Sequence, residues 1–311
     1  MRYLVVGAGA LGGYFGGRLL DVGRDVTFLL RPGRARALAS TGLVVKSRFG
    51  NLAIAAPPYV QADGIAAPFD VVVVGCKAYD LAGTMTSFAP AVGPDTAILP
   101  LLNGMRHLDD LQCRFGAARV LGGLCMISAT LDAEGTIQHL NDLHGLVFGE
   151  LDGTMSQRVE QIAADFSTAK FDSRATPLIL QEMWEKWAFI ASAAGATCLM
   201  RASIGDIVAA GGADINLHIV DECCAIAAAN GFAPRQPSID RIRSAVTAAG
   251  SPMSASMLKD MERDGAVEAD HVIGDLLARS KSDATVLSAL RIAYVHLKAY
   301  EAGRAAAAEA G

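Results

Sequence analysis

Aromatic residues are scarce in this chain of 311 residues, at 6%, so its core must be built mainly from Ala, Val, Leu and Ile. Side chains of that kind suit closely packed helices and parallel strands. No excess of positive charge is present: Lys and Arg total 27, Asp and Glu 32, and the net charge is -5. That balance excludes an electrostatic footprint for nucleic acid or an anionic membrane, so any basic residue that meets an anionic ligand acts locally. Zinc-type cysteine spacing is also missing. Cys76, Cys113, Cys125, Cys198, Cys223 and Cys224 form no C-x-x-C pair and no Cys/His cluster, and adjacent Cys223 and Cys224 make poor partners for each other. All six read as reduced thiols filling the core of a cytoplasmic protein that binds no metal. No apolar run is long enough to span a bilayer. The longest in the second half, Trp187 to Met200, lies between Lys186 and Arg201. The apolar N-terminus is broken by glycines, which excludes a signal peptide, and there is no internal repeat.

With 52% hydrophobic residues, the chain has ample material for a core and length for about two domains. Residues 3–6 form a short apolar run that stops at Gly7. A helix-like stretch follows from Gly12 to Val22, then a second apolar run over 26–30. Strand, tight turn, helix and strand within about thirty residues is the length of a βαβ unit. Residues 70–74 and 97–102 predict two further buried strands, and 120–130 and 145–149 predict edge strands. After about residue 175 the composition turns to Ala, Leu, Glu and Lys in helical patterns. Helices are expected over 178–200, 203–211, 214–230, 236–249, 254–262, 265–281 and 284–300, with a frayed end from Arg304 to Gly311. The expected fold is therefore α/β: a Rossmann-type doubly wound sheet over residues 1–174, followed by an all-helical C-terminal domain over 175–311. Two such domains predict hinge closure over bound ligands. The apolar second half is compatible with a homodimer and equally with burial inside one domain.

Gly7-Ala8-Gly9-Ala10-Leu11-Gly12 is a G-x-G-x-x-G fingerprint that follows a strand and opens a helix, the context that makes it specific. The first glycine permits the tight turn, the second lets backbone approach a pyrophosphate, and the third lets helix and strand pack closely. The helix N-terminus then offers N–H groups to the phosphates. An NAD enzyme usually carries Asp or Glu at the end of the second strand. Here that strand runs into Arg31-Pro32-Gly33-Arg34, with two arginines and no carboxylate. Charge-assisted bonds to a 2′-phosphate, each worth roughly 1.5–3 kcal/mol, predict a preference for NADPH of roughly ten- to a hundredfold. Lys77 and Asn103 follow two of the predicted strands, at the carboxyl ends where ligands of such sheets lie.

Taken together, the fingerprint, the arginine after the second strand, Lys77-Ala78 and Leu102-Asn103-Gly104-Met105 resemble the ketopantoate reductase (2-dehydropantoate 2-reductase) family. The resemblance continues at Trp184-Glu185-Lys186 and at Ser256-Met257-Leu258-Lys259-Asp260 followed by Glu268, in order along nearly the whole chain. It implies NADP(H)-dependent reduction of the 2-oxo group of ketopantoate to pantoate, on the route to coenzyme A. It implies Lys186 as the catalytic lysine and Glu268 as the acid that holds the substrate hydroxyl. By the same likeness Ser256 and Asn103 bind substrate, and Asn103 and Lys77 lie beside the cofactor. The chemistry is coherent: hydride reaching C2 builds negative charge on the carbonyl oxygen, which an ammonium can polarise and protonate. One departure stands out. The family carries asparagines four and eight residues after the lysine, whereas this chain has Ile190 and Ala194. Ser192 or Thr197 is the expected polar replacement. Three readings remain open: ketopantoate reduction, reduction of another, more apolar 2-oxo acid, and an NADPH-binding sensor without turnover.

Overall fold

The computed structural model describes residues 1–281 and 288–310. It divides into two compact units, one of Met1–Leu102 with His107–Ile179, the other of Asn103–Arg106 with Leu180–Gly311. The boundary thus falls a few residues beyond 174, and the short Asn103–Arg106 segment groups with the second unit.

The first unit begins β1 (Arg2–Val6), α1 (Ala10–Asp21), β2 (Asp25–Leu29), α2 (Pro32–Thr41), β3 (Leu43–Lys46), β4 (Leu52–Ile54) and β5 (Tyr59–Val60). It continues β6 (Val71–Val74), α3 (Leu81–Phe88), β7 (Ala97–Pro100), α4 (Arg106–Phe115), β8 (Leu121–Leu131), β9 (Ile137–Glu150), α5 (Gln157–Phe166) and β10 (Asp172–Ala175). Five of these strands form a parallel sheet in the order β5-β2-β1-β6-β7. The order reverses at β1, so the crevice beyond the carboxyl ends of β1 and β6 is the topological switch point where such sheets bind ligands. All four valines of β6 are buried, as expected for a central strand covered on both faces.

The predicted edge strands 120–130 and 145–149 require correction. They do not extend the parallel sheet. Apart from one bridge between Val120 and Ile98, they build a second sheet in the order β10-β9-β3-β4, with β8 paired antiparallel to β9. The reversal between them takes the five residues 132–136, closed by the Asp132 N–H donating to the Thr136 carbonyl at 3.0 Å. Strands β3, β4 and β5 were not predicted at all, since each has four residues or fewer and no sustained alternation.

The second unit holds α6 (Ile179–Met200), α7 (Ile204–Ala209), α8 (Ala213–Ala229), α9 (Gln236–Val246) and α10 (Ser256–Glu262). One turn of π-helix, Asp270–Gly274, leads into α11 (Asp275–Ala278), and α12 (Ala289–Ala310) follows. Helix α9 stops three residues short of the predicted 249. The single helix expected over 265–281 is replaced by the π-turn and α11. Residues 284–287 of the last predicted helix lie outside the described residues. Its remainder runs on through the alanine-rich end that was expected to fray. Burial pushes the Cys198 and Cys223 thiols up to about 12, in keeping with core filler, and Cys125 is buried too; the same expectation fails for Cys113, which is exposed, and holds only in part for Cys76 and Cys224, which are half-buried. Among the described residues no helix is long and apolar enough to cross a membrane. Nor, among them, is there a group of three or more His, Cys, Asp or Glu that could hold a metal.

Candidate functional site

In the first unit the fingerprint closes as a turn from β1 into α1. Gly7 takes φ +89°, a left-handed conformation that side chains disfavour, and its N–H donates to the Leu29 carbonyl at 3.0 Å. A Cβ on Gly12 would lie 2.2 Å from the Gly7 carbonyl oxygen, so nothing larger than glycine fits there. Gly9 is the N-cap of α1 and supplies no capping side chain, so no side-chain cap satisfies the first N–H groups of that helix. A Cβ on Gly9 would meet nothing within 4 Å, which leaves open space where backbone must approach a diphosphate. Ala8, Ala10 and Leu11 complete the turn. These residues fit a dinucleotide on their own geometry: an uncapped helix N-terminus faces room for an anion.

Arg31 and Lys77 lie in the same unit. Arg31 is the N-cap of α2 and pairs with Asp80 at 3.0 Å, with its side chain 70% exposed. An exposed pair of this kind contributes roughly 0–1 kcal/mol, so Asp80 competes only weakly with a phosphate for the guanidinium. Sequence reasoning missed Asp80. Lys77 precedes the one-turn 3₁₀ segment Ala78–Asp80, and its carbonyl accepts from the Asp80 N–H at 3.0 Å. The second arginine, Arg34, has another task. It donates to the carbonyls of Ala8 (3.1 Å) and Gly135 (3.3 Å), buttressing the glycine turn. Burial pushes its pKa down.

The second unit gathers the groups suited to acid chemistry. Lys186, on α6, donates from Nζ to Asn103 Oδ1 at 3.0 Å. That bond joins two predicted residues 83 positions apart, and it turns the amide Nδ2 donors of Asn103 away from the ammonium. Glu268 lies four residues before Val272, whose N–H donates to the Glu268 carbonyl at 3.0 Å. Ser256 is the exposed first residue of α10. Its preceding peptide is fixed by Thr197, whose hydroxyl accepts from the Ala255 N–H at 3.2 Å while donating to the Ala193 carbonyl at 2.6 Å.

These bonds tie the hydroxyl protons of Ser192 and Thr197, the expected replacements for the family's asparagines, to helix carbonyls. The Ser192 hydroxyl donates to the Ala188 carbonyl at 2.7 Å and is buried, and Thr197 holds the backbone before Ser256. Ile190 lies one helical turn beyond Lys186 on the same face and is partly exposed. Ala194, a further turn on, is buried.

Two features near Lys186 escaped sequence reasoning. Glu185 is buried and accepts from the Arg235 backbone N–H (2.9 Å), its Nε (2.7 Å) and Nη2 (2.7 Å), from Ser238 (2.8 Å) and from Gln181 (3.1 Å). Trp187 donates its indole N–H to the Val272 carbonyl at 2.8 Å. A signal for the second was present. The chain has only two tryptophans, Trp184 and Trp187, and they flank Lys186 in sequence.

Comparison with known proteins follows the same division. The family described as "Ketopantoate reductase PanE/ApbA" matches residues 3–153, and its C-terminal counterpart matches residues 178–301. An uncharacterized oxidoreductase of Bacillus subtilis, YkpB, is 37% identical over 97% of this chain and 99% of its own length. A 2-dehydropantoate 2-reductase of Nostoc is 29% identical over 67% of this chain and 66% of its own. The crystal structure of 2-dehydropantoate 2-reductase from Geobacter metallireducens superimposes with a TM-score of 0.87 at 28% identity, covering 96% of this chain and 99% of that one.

Proposed function

The chain belongs to the ketopantoate reductase family of oxidoreductases, and from that premise we propose that it reduces a 2-oxo acid to the 2-hydroxy acid with NADPH, with ketopantoate as the first candidate substrate. The observation that carries this reading is the Lys186–Asn103 bond, which holds an ammonium beside an amide in the unit that also bears Ser256 and Glu268.

The cofactor, when bound, supplies the hydride that reduces C2. Gly7 to Gly12 would hold its diphosphate on the N–H groups of α1. Arg31 would meet the 2′-phosphate in place of its weak partner Asp80, and Lys77 would lie alongside in the same unit. Lys186 polarises the substrate carbonyl and gives a proton from Nζ to its oxygen as negative charge develops there, then regains one from solvent. Asn103 fixes the direction of the ammonium through Oδ1 and offers its Nδ2 donors to the ligands. Glu268 and the Ser256 hydroxyl bind the polar groups of the substrate.

A specific observation favours a second reading, a substrate with a more apolar side chain. Ile190 and Ala194 stand where the family carries asparagines, and Ser192 and Thr197 are committed to backbone carbonyls. A pocket that leaves substrate hydroxyls unpaired selects against them. Steady-state NADPH oxidation with ketopantoate beside 2-oxo acids of varied side chain decides between the two. A kcat/KM for ketopantoate above all others, at roughly 10⁴ M⁻¹s⁻¹ or higher, supports the first; a better apolar 2-oxo acid makes Ile190 and Ala194 the specificity switch. NADPH binding with no turnover of any 2-oxo acid would remove the reductase reading altogether.

Cofactor choice has its own test. Arg31→Ala is expected to weaken NADPH binding by roughly ten- to a hundredfold while changing NADH affinity little. Calorimetric titration of both nucleotides measures this, and equal losses would show that Arg31 does not meet the 2′-phosphate.

A further inference from the structure

Three pieces of backbone meet beside the Lys186–Asn103 pair, and Trp187 lies at their junction. Its indole is buried, and its N–H donates to the Val272 carbonyl at 2.8 Å. Val272 is the third residue of the π-turn Asp270–Gly274, and its own N–H donates to the Glu268 carbonyl at 3.0 Å. One residue, Val272, therefore links the neighbour of Lys186 to the backbone of Glu268 through its carbonyl and its N–H. Gly104, the neighbour of Asn103, backs onto the same turn. Its φ of +80° favours glycine, and a Cβ there would lie 2.5 Å from the His271 carbonyl oxygen and 3.8 Å from the Trp187 Nε1.

A single turn of π-helix inside an α-helix is a rare backbone form, frequent at functional sites. Here the first residue, Asp270, accepts from the Tyr294 hydroxyl (2.7 Å) and from Lys298 Nζ (3.0 Å). The Val272 carbonyl is held by the indole. Trp184, tilted against Trp187 at 4.9 Å between ring centroids and stacked on Phe232 at 5.6 Å, fixes the indole's orientation in turn.

We propose that Trp187 is a positioning residue, whose indole N–H sets the Glu268 segment at a fixed distance from Lys186 and Asn103. The role rests on the proposed function, in which Lys186 protonates the substrate and Glu268 binds it. An aromatic residue that only filled space would have no need of the N–H. A phenylalanine would keep most of the ring and remove the indole donor from the buried Val272 carbonyl.

The test is a double-mutant cycle on the full-length protein with its best 2-oxo acid. Trp187→Phe is expected to lower kcat/KM by roughly fivefold to a hundredfold, while the NADPH dissociation constant stays within twofold. In a Glu268→Gln background the same substitution is expected to change kcat/KM by less than twofold, because the group it positions is already disabled. Trp187→His, a smaller ring that retains an N–H, is expected to retain more activity than Trp187→Phe even where its melting temperature is lower. Equal effects of Trp187→Phe in the two backgrounds, or activity that follows melting temperature rather than the donor, would overturn the positioning role. If Trp187→Phe does not fold, the His variant decides alone: kcat/KM within tenfold of the parent supports the role, and a larger loss in folded protein refutes it. Turnover by the unsubstituted enzyme is read separately. With turnover present and no coupling, the positioning role fails and the function stands. With no turnover, both fail.

Discussion

Lys186→Ala is expected to lower kcat by roughly 10²–10⁴-fold while the NADPH dissociation constant stays nearly unchanged. The split follows from where the residues lie. The glycine turn, Arg31 and Lys77 belong to the first unit, whereas Lys186 and its partner Asn103 belong to the second. Removing the lysine takes away the proton donor and the charge beside the developing alkoxide, both of which matter most in the transition state. An interaction of that type lowers kcat and kcat/KM together. Lys186→Arg sharpens the point: a guanidinium keeps the charge but does not release a proton near neutral pH. It is expected to recover part of the polarisation and little of the acid catalysis. Stopped-flow single turnovers, which separate chemistry from product release, are the measurement. Unchanged turnover in Lys186→Ala would remove the lysine from the reaction.

The largest effect on stability is expected at the neighbouring residue. Burial by itself would push the Glu185 carboxyl up. The bonds from the Arg235 side chain and backbone, from Gln181 and from Ser238 prevail and hold it at about 2, against 4.5 for a free glutamate. Arg235→Ala leaves that carboxylate buried without its cation, a change that typically costs about 3–5 kcal/mol. Taking the lower figure because Ser238, Gln181 and the backbone N–H at position 235 remain, the melting temperature is expected to fall by about 6–12 °C. Glu185→Gln should cost less, since Arg235 is half exposed and water can take over its donors.

The pH dependence has a definite sign. A carboxylate with a depressed pKa contributes its full stability above about 4.5 and loses it as pH falls toward about 2. The parent protein should therefore lose stability over that window. The penalty of Arg235→Ala should shrink over the same window, as the buried carboxyl becomes free to protonate. Thermal melts of both proteins at pH 7, 4 and 3 measure the two trends. A penalty that stays constant down to pH 3 would show that the ion pair is not its source.

Local rules carried much of this. The glycine spacing of Gly7, Gly9 and Gly12, the four-valine run of β6 and the Ala/Leu-rich second half each require one kind of backbone, and they were legible at once. The helices α6, α7, α8 and α10 lie within about two residues of their expected ranges because helical periodicity and glycine or proline breaks are local signals. The second sheet was not legible. Pairing β9 with β8, β3 and β10 joins segments that carry no mark of one another, and short strands such as β5 exist only because β2 offers them an edge. The π-turn was hidden for the same reason: residues 265–281 read as an ordinary helix, and the departure is held by Trp187, Tyr294 and Lys298 from elsewhere in the chain.

The division runs along the range of the forces involved. The sequence by itself determined the fold class, the dinucleotide turn and the arginine at the end of β2, because each follows from residue chemistry within a few positions, whereas the candidate lysine was singled out by the family resemblance. Only the tertiary structure decided which of the polar groups are still available. It gave Arg34 to the Ala8 carbonyl, Ser192 and Thr197 to helix carbonyls, Asn103 to Lys186, and Trp187 to the turn after Glu268. A buried donor or acceptor must find a partner wherever the chain brings one, and that partner is commonly tens of residues away.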